Sequence, residues 1–258
     1  MHHRGSNGMI LTSPKITDFY DDEDVAEVVT SLKQKYPEAV CIAIGVSSGG
    51  YLVTRYLYKN GQHSKIDAAF VISSPFDFRA FQKNLTREGP NQRYSQLLAS
   101  HYKEIIQKNF KLLVKTQSGK VNFSDVMQSC YFEEVYEKYV TKIREKHIDE
   151  IYKDLALREN LGLVKRPLLC LNAEDDFLSP GVYCFYLLHL KNVISLDLPL
   201  EEIKYSTHVA MIVTKNGGHC GFMDGFIPIQ TFFAERVFES YLQSLQELGV
   251  NINKVLFE

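Results

Sequence analysis

Short apolar runs alternate with amphipathic stretches along most of the chain. Four runs read as strands buried on both faces: Ala39 to Ile44, Ala68 to Ser73, Pro167 to Asn172 and Val209 to Thr214. Between them the spacing changes to helical. Val25, Val28, Val29 and Leu32 recur at i, i+3, i+4 and i+7 behind Asp21-Asp22-Glu23, and Pro37 ends that helix. Leu52, Val53, Tyr56 and Leu57 mark a second helix, closed near Asn60-Gly61. Phe233, Val237, Tyr241 and Leu245 lie on one face of a final helix over 230–245. Strands alternating with helices predict an α/β fold with a mostly parallel sheet.

The stretch from Asp77 to Val164 breaks the alternation. It holds two helix-like segments, near Tyr94 to Leu113 and Ser124 to Leu157, rich in Tyr, Phe, Lys and Glu. The expected organisation is therefore a core formed by 1–76 and 165–258, with 77–164 as a helical cap inserted between two strands. Its aromatics read as a core of its own, with a lid over a cleft as the sharper alternative.

Charge changes the picture by exclusion. Twenty-nine Lys+Arg against 31 Asp+Glu give −2, which argues against a nucleic-acid partner held by bulk electrostatics. The five cysteines are odd in number and include no C-x-x-C pair, so neither a disulfide framework nor a zinc ribbon is indicated. No apolar run approaches a membrane span, and the first residues lack an apolar signal core. The chain as written reads as soluble and cytoplasmic, and its opening Met1-His2-His3-Arg4-Gly5-Ser6 as native backbone.

Chemistry enters at Gly45-Val46-Ser47-Ser48-Gly49-Gly50. This is a G-x-S-x-G pattern following a strand and opening a helix, the setting of a nucleophile elbow. The serine must sit on a sharp, strained turn, and small neighbours are needed where helix and strand backbones pass closely. Gly45 and Gly49 are expected to meet that need. The helix N-terminus supplies positive potential, with the Ser48 N–H as an oxyanion donor. The competing reading is a glycine-rich turn binding a phosphate or nothing, but neither G-x-x-x-x-G-K-[ST] nor G-x-G-x-x-G is present.

A serine nucleophile needs a base, and the base an orienter, in the chain order Ser, Asp, His for this architecture. After the third strand come Asp175 and Asp176; after the fourth comes His219, set among Gly217, Gly218 and Gly221. An Asp followed by three residues and Pro selects Asp176 with Pro180, leaving Asp175 as the second choice. His219 to Asp224 also spells H-x-x-x-x-D, a loose pattern associated with acyl transfer.

Taken together, several blocks resemble the α/β-hydrolase-domain proteins of AB hydrolase family four. They are His3-Arg4-Gly5, Ser13-Pro14-Lys15, the Gly45–Gly50 elbow, Ser74-Pro75-Phe76-Asp77, Asn172-Ala173-x-Asp175-Asp176 and Gly217-Gly218-His219-x-Gly221-Phe222. The resemblance covers essentially the whole chain. That family includes bacterial esterases, animal phospholipid and acylglycerol lipases, and yeast medium-chain ethanol acyltransferases. The resemblance implies Ser47 as nucleophile, Asp176 as orienter and His219 as base. It implies acyl-ester or glycerolipid substrates, often of medium chain length, and no metal or organic cofactor. It also implies membrane association through an anchor upstream of Met1.

One departure has consequences. In the family the His-Arg-Gly motif follows the fourth strand, whereas here it stands at residue 3. Each βα unit takes about 30 residues or more, so the first strands cannot fit before Ser47. The expectation is an α/β-hydrolase fold lacking its first strands. The strand before Ser47 becomes an exposed edge, the second oxyanion donor is missing, and activity is weak or absent. The reading is thus a serine hydrolase of carboxylic acyl esters. Its alternatives are an acyltransferase, a non-catalytic lipid or partner binder, and a peptidase.

Overall fold

A computed structural model describes residues 1–179, 198–224 and 231–248. The helices in chain order are α1 (Asp22–Lys35), α2 (Ser48–Asn60), α3 (Phe78–Leu85), α4 (Pro90–Lys108), α5 (Phe110–Gln117), α6 (Phe123–Met127), α7 (Phe132–Val135), α8 (Thr141–Arg144), α9 (Ile148–Asp154), α10 (Leu200–Ile203) and α11 (Phe233–Glu247). The strands are β1 (Ile42–Val46), β2 (Ala68–Ile72), β3 (Leu168–Ala173) and β4 (Val209–Thr214). They form one parallel sheet in the order β1-β2-β3-β4. The fold is α/β, with a parallel sheet and flanking helices.

The chain divides into two compact units, one containing Met1–Asp21 and Phe78–Leu155, the other Asp22–Asp77 and Ala156 onward. In the sheet unit, β2 is buried through most of its length, as a central strand must be. Helix α11 packs its predicted face onto the sheet: Phe233, Val237, Phe238 and Tyr241 meet Phe70, Leu171 and Ala173, and Leu245 meets Ala68. Phe70 and Phe238 stack at 5.5 Å. Helix α2 is buried from Gly50 to Leu57. Asp22, at the start of α1, takes Arg55 Nε at 2.8 Å and Lys59 Nζ at 2.9 Å from it.

Strand β1 starts at Ile42, three residues later than the apolar run. Ala39 and Cys41 are spent in the turn after α1. The Lys33 ammonium donates to the Ala39 carbonyl at 2.7 Å, and the Cys41 N–H donates to the Asp67 carboxylate at 2.8 Å. The strand lies at the sheet's edge among the described residues, with Ile44 53% and Val46 46% exposed. In α1 only Val25 and Val29 of the predicted stripe are buried, while Val28 and Leu32 are exposed.

The helical unit has an aromatic interior of its own. Phe78 touches Phe19 at 4.7 Å and Tyr136 at 5.0 Å, and Tyr136 touches Phe132 at 5.5 Å. Residues 1–21 complete this interior, with Leu11, Ile16 and Phe19 buried. The Leu11 N–H donates to Asn109 Oδ1 at 2.8 Å, and Gln117 Nε2 donates to the Pro14 carbonyl at 2.7 Å. Asp18 and Asp21, both buried, share the Arg144 guanidinium, and Lys15 reaches Asp21 at 2.8 Å. Burial, reinforced by Asp21, pushes the Asp18 carboxyl up to about 6 although Arg144 opposes the shift.

The two long helical segments expected in this unit are broken into shorter pieces. Asn109 ends α4 and precedes α5, its side-chain amide donating to Ile105 O at 2.8 Å while its oxygen serves Leu11. Asn122 caps α6. Glu145, in the left-handed region at φ 52°, ends α8. Tyr136–Val140 forms a π turn between α7 and α8.

Candidate active site

The site grows from the C-terminal ends of the strands. In-register pairing sets Gly45 beside Val71 and Val46 beside Ile72, and the Ser47 N–H continues the ladder to the Ile72 carbonyl at 2.8 Å. There the chain turns. Ser47 adopts φ 51°, a region costly for a residue with a Cβ. Ser48 opens α2, so its N–H has no intrahelical partner and is available to a developing negative charge.

The turn's tightness falls on Gly45 and Gly50. A Cβ at Gly45 would meet the Gly50 Cα at 2.5 Å, and one at Gly50 would meet the Gly45 carbonyl at 3.2 Å. Gly49, expected to share this role, faces open space. The close approach of strand and helix lies one residue further along α2 than the motif implies.

Three loops bring the expected residues together. His219 Nε2 is 2.9 Å from Ser47 Oγ. His219 Nδ1 is 2.9 Å from Asp176 Oδ2 and 3.1 Å from Oδ1. Asp176 is fully buried, and its Oδ1 accepts the N–H groups of Leu178 at 2.8 Å and Ser179 at 3.3 Å. Asp175 is exposed and turns elsewhere: its Oδ1 accepts the Gly218 N–H at 2.7 Å. Asp176 thus meets the imidazole, while Asp175 holds the backbone just before it. Pro180, used in reading this loop, lies outside the described residues.

The histidine loop departs from ordinary backbone repeatedly. Gly218, Cys220 and Phe222 all have positive φ, at 57°, 69° and 42°. Gly217 lacks room for a Cβ, which would meet the Phe222 ring at 2.7 Å. The Cys220 N–H donates to Ser73 Oγ at 3.1 Å. Burial lowers the affinity of His219 for a proton, but the hydrogen bond that its Nδ1–H donates to Asp176, with Cys220 and the Asp176 charge behind it, outweighs this and raises the imidazole from 6.5 to about 9. Asp224, the far end of the H-x-x-x-x-D pattern, is ion-paired with Arg236.

Among the described residues no cluster of three or more His, Cys, Asp or Glu side chains could hold a metal ion. No described helix is long and apolar enough to cross a membrane.

A family model described as "Alpha/beta hydrolase of unknown function" (DUF915) matches residues 17–139. Over that stretch the chain is similar to α/β hydrolases. Proteins similar to this chain include the bovine protein named "Phospholipase ABHD3", 28% identical over 256 residues, covering 98% of the chain and 58% of the relative. Its human counterpart of the same name is 29% identical over 250 residues, covering 96% and 56%. The yeast (Saccharomyces cerevisiae) "Monoacylglycerol lipase" is 24% identical over 235 residues, covering 84% and 46%. The chain thus spans about half the length of these curated relatives. Among solved structures, a puromycin-hydrolyzing peptidase of Mycobacterium tuberculosis is similar in fold, with TM-score 0.50 and 11% identity over 88% of this chain and 25% of that one.

Proposed function

We propose that the chain is a serine hydrolase of carboxylic acyl esters, with Ser47 as nucleophile, His219 as base and Asp176 as orienter. The observation that carries this reading is the continuous hydrogen-bonded line from Ser47 Oγ through His219 to buried Asp176. Medium-chain esters, acylglycerols or phospholipids are the proposed substrates, and the membrane surface where such lipids reside is the proposed partner. Relatives named for phospholipase and monoacylglycerol lipase activity support that substrate class.

The chemistry follows from the atoms. Ser47 Oγ attacks the ester carbonyl carbon as its proton passes to His219 Nε2, and the carbonyl electron pair moves onto oxygen, facing the Ser48 N–H. Collapse expels the alcohol, which takes the proton from His219, and leaves an acyl ester on Ser47. Water then repeats the sequence and releases the acid; an alcohol in its place yields a new ester. Asp176 holds the imidazole in the tautomer whose Nε2 can accept the serine proton.

The test is a burst of p-nitrophenol from a medium-chain p-nitrophenyl ester, together with fluorophosphonate labelling of Ser47. Both are expected in the native chain and lost in Ser47→Ala. A native chain that gives neither, with the fold intact by circular dichroism, refutes the hydrolase reading and favours the non-catalytic binder. Product analysis in the presence of ethanol separates hydrolysis from acyl transfer.

A further inference from the structure

Ser47 has a counterpart one strand away. The register pairs Val46 with Ile72, so Ser47 and Ser73 are the residues that leave β1 and β2 at the same level of the sheet. Each continues the ladder by one bond: Ser47 N–H to Ile72 O, and Ser73 N–H to Leu171 O, both at 2.8 Å. Each then turns through positive φ, at 51° and 50°. Non-glycine residues in that region cost about 1–3 kcal/mol and persist where the surroundings hold them. Glycine would avoid the cost at either position, so a side chain there needs a reason. For Ser47 the reason is its proposed attack. Ser73 is fully buried and cannot meet substrate directly.

Its hydroxyl has a specific task. Ser73 Oγ accepts the Cys220 N–H at 3.1 Å, and Asp175 Oδ1 accepts the Gly218 N–H at 2.7 Å. These are the two backbone amides that flank His219. Each is held by a side chain from a different loop, one after β2 and one after β3. The histidine loop takes positive φ at Gly218 and Cys220, and the strain at Cys220 persists only where surrounding contacts such as these hold it.

We propose that Ser73 is a positioning residue of the active site: its hydroxyl, with the Asp175 carboxylate as the second point of attachment, mounts the His219 backbone so that Nε2 stays within reach of Ser47 Oγ. The proposal rests on the hydrolase reading above for its catalytic consequence, but not for its geometry. Ser73→Ala removes the acceptor and keeps the Cβ. Ser73→Gly removes the acceptor and relieves the backbone.

Both variants, as the full chain, are compared with the native protein on a p-nitrophenyl medium-chain ester across pH, with thermal melting alongside. The expected result is a kcat lower by about ten- to a hundredfold in both, with KM nearly unchanged, because displacing a catalytic group by a fraction of an ångström to one ångström costs that much. The lower limb of the pH–rate profile moves to lower pH as the bond between His219 and Asp176 loosens. Hydrogen exchange at the Cys220 amide accelerates in both. Native kcat in Ser73→Gly, with only Ser73→Ala impaired and poorly folded, overturns the proposal, since the effect is then strain alone. If the native chain shows no turnover, the hydrolase reading has failed. Amide exchange still decides the mount: faster exchange at Cys220 upholds it, and unchanged exchange overturns it.

Discussion

Replacing Asp176 by asparagine changes one atom in a fully buried position and leaves the shape almost untouched. The Leu178 N–H, now 2.8 Å from Asp176 Oδ1, keeps an acceptor in the amide oxygen. The amide nitrogen then faces His219 Nδ1, which sits 2.9 Å from Oδ2. An amide NH2 can only donate, so Nδ1 must accept, and the ring proton moves to Nε2. There it points at Ser47 Oγ, 2.9 Å away, and the base can no longer take the serine proton. Wrong-tautomer variants of this kind lose about 10⁴-fold in kcat, roughly 5.5 kcal/mol at about 1.36 kcal/mol per decade. Asp175→Asn is the control. It keeps an acceptor for the Gly218 N–H but gives up the carboxylate charge that strengthens that attachment, and because it does not touch the imidazole it is expected to lose about tenfold or less, far short of Asp176→Asn. Steady-state hydrolysis of a p-nitrophenyl octanoate ester measures both. The reasoning fails if Asp176→Asn keeps a tenth of native kcat, or if Asp175→Asn falls as far as Asp176→Asn.

Gly45→Ala drives a methyl into the Gly50 backbone at 2.5 Å, where neither partner can rotate away, so a loss of about 1–3 kcal/mol is expected by urea denaturation, with Gly49→Ala near native. Arg144→Met removes the guanidinium that the buried carboxylates of Asp18 and Asp21 share, while Lys15 still reaches Asp21. A loss of about 3–5 kcal/mol is expected, and a loss below 1 kcal/mol would contradict the burial argument. Because the folded chain raises His219 from 6.5 to about 9, its pairing with Asp176 contributes stability that is complete below 6.5 and disappears as pH climbs through about 9. Melting temperature should therefore fall over that interval more steeply in the native chain than in Asp176→Asn, while ester turnover rises as the imidazole loses its proton.

Most of the sheet was legible because its strands spell short apolar runs at the spacing of an α/β fold, most clearly in the buried β2 and β3. The same holds for Ser47, Asp176 and His219, whose loops carry glycine and acidic signals at strand ends. What escaped has a common cause in distant partners. The ends of α4 and α8 depend on Asn109 serving Leu11 and on Glu145 adopting a left-handed turn, neither of which is written in local propensity. Residues 1–21 read as part of the core, yet their apolar side chains are buried with the helices of the other unit. Ser73 looked like the end of a strand; only the register beside Val46 and Ile72, together with the Cys220 amide, gives it a role. Gly49 matched a motif whose steric demand falls on Gly50.

The placement of residues 1–21 also has a consequence in time. Asp18 waits for Arg144, 126 residues later, and Leu11 for Asn109, 98 residues later. At roughly 5–20 residues per second of synthesis, 126 residues take about 6 to 25 s. For much of that interval Leu11 lacks the Asn109 side chain that holds it, and Phe19 first waits for Phe78, while the strand and helix around Ser47 are already outside. The nascent chain therefore presents this apolar segment to chaperones before it can be folded away. A ribosome-stalled series ending before and after Arg144 would show that segment passing from protease-sensitive to protected.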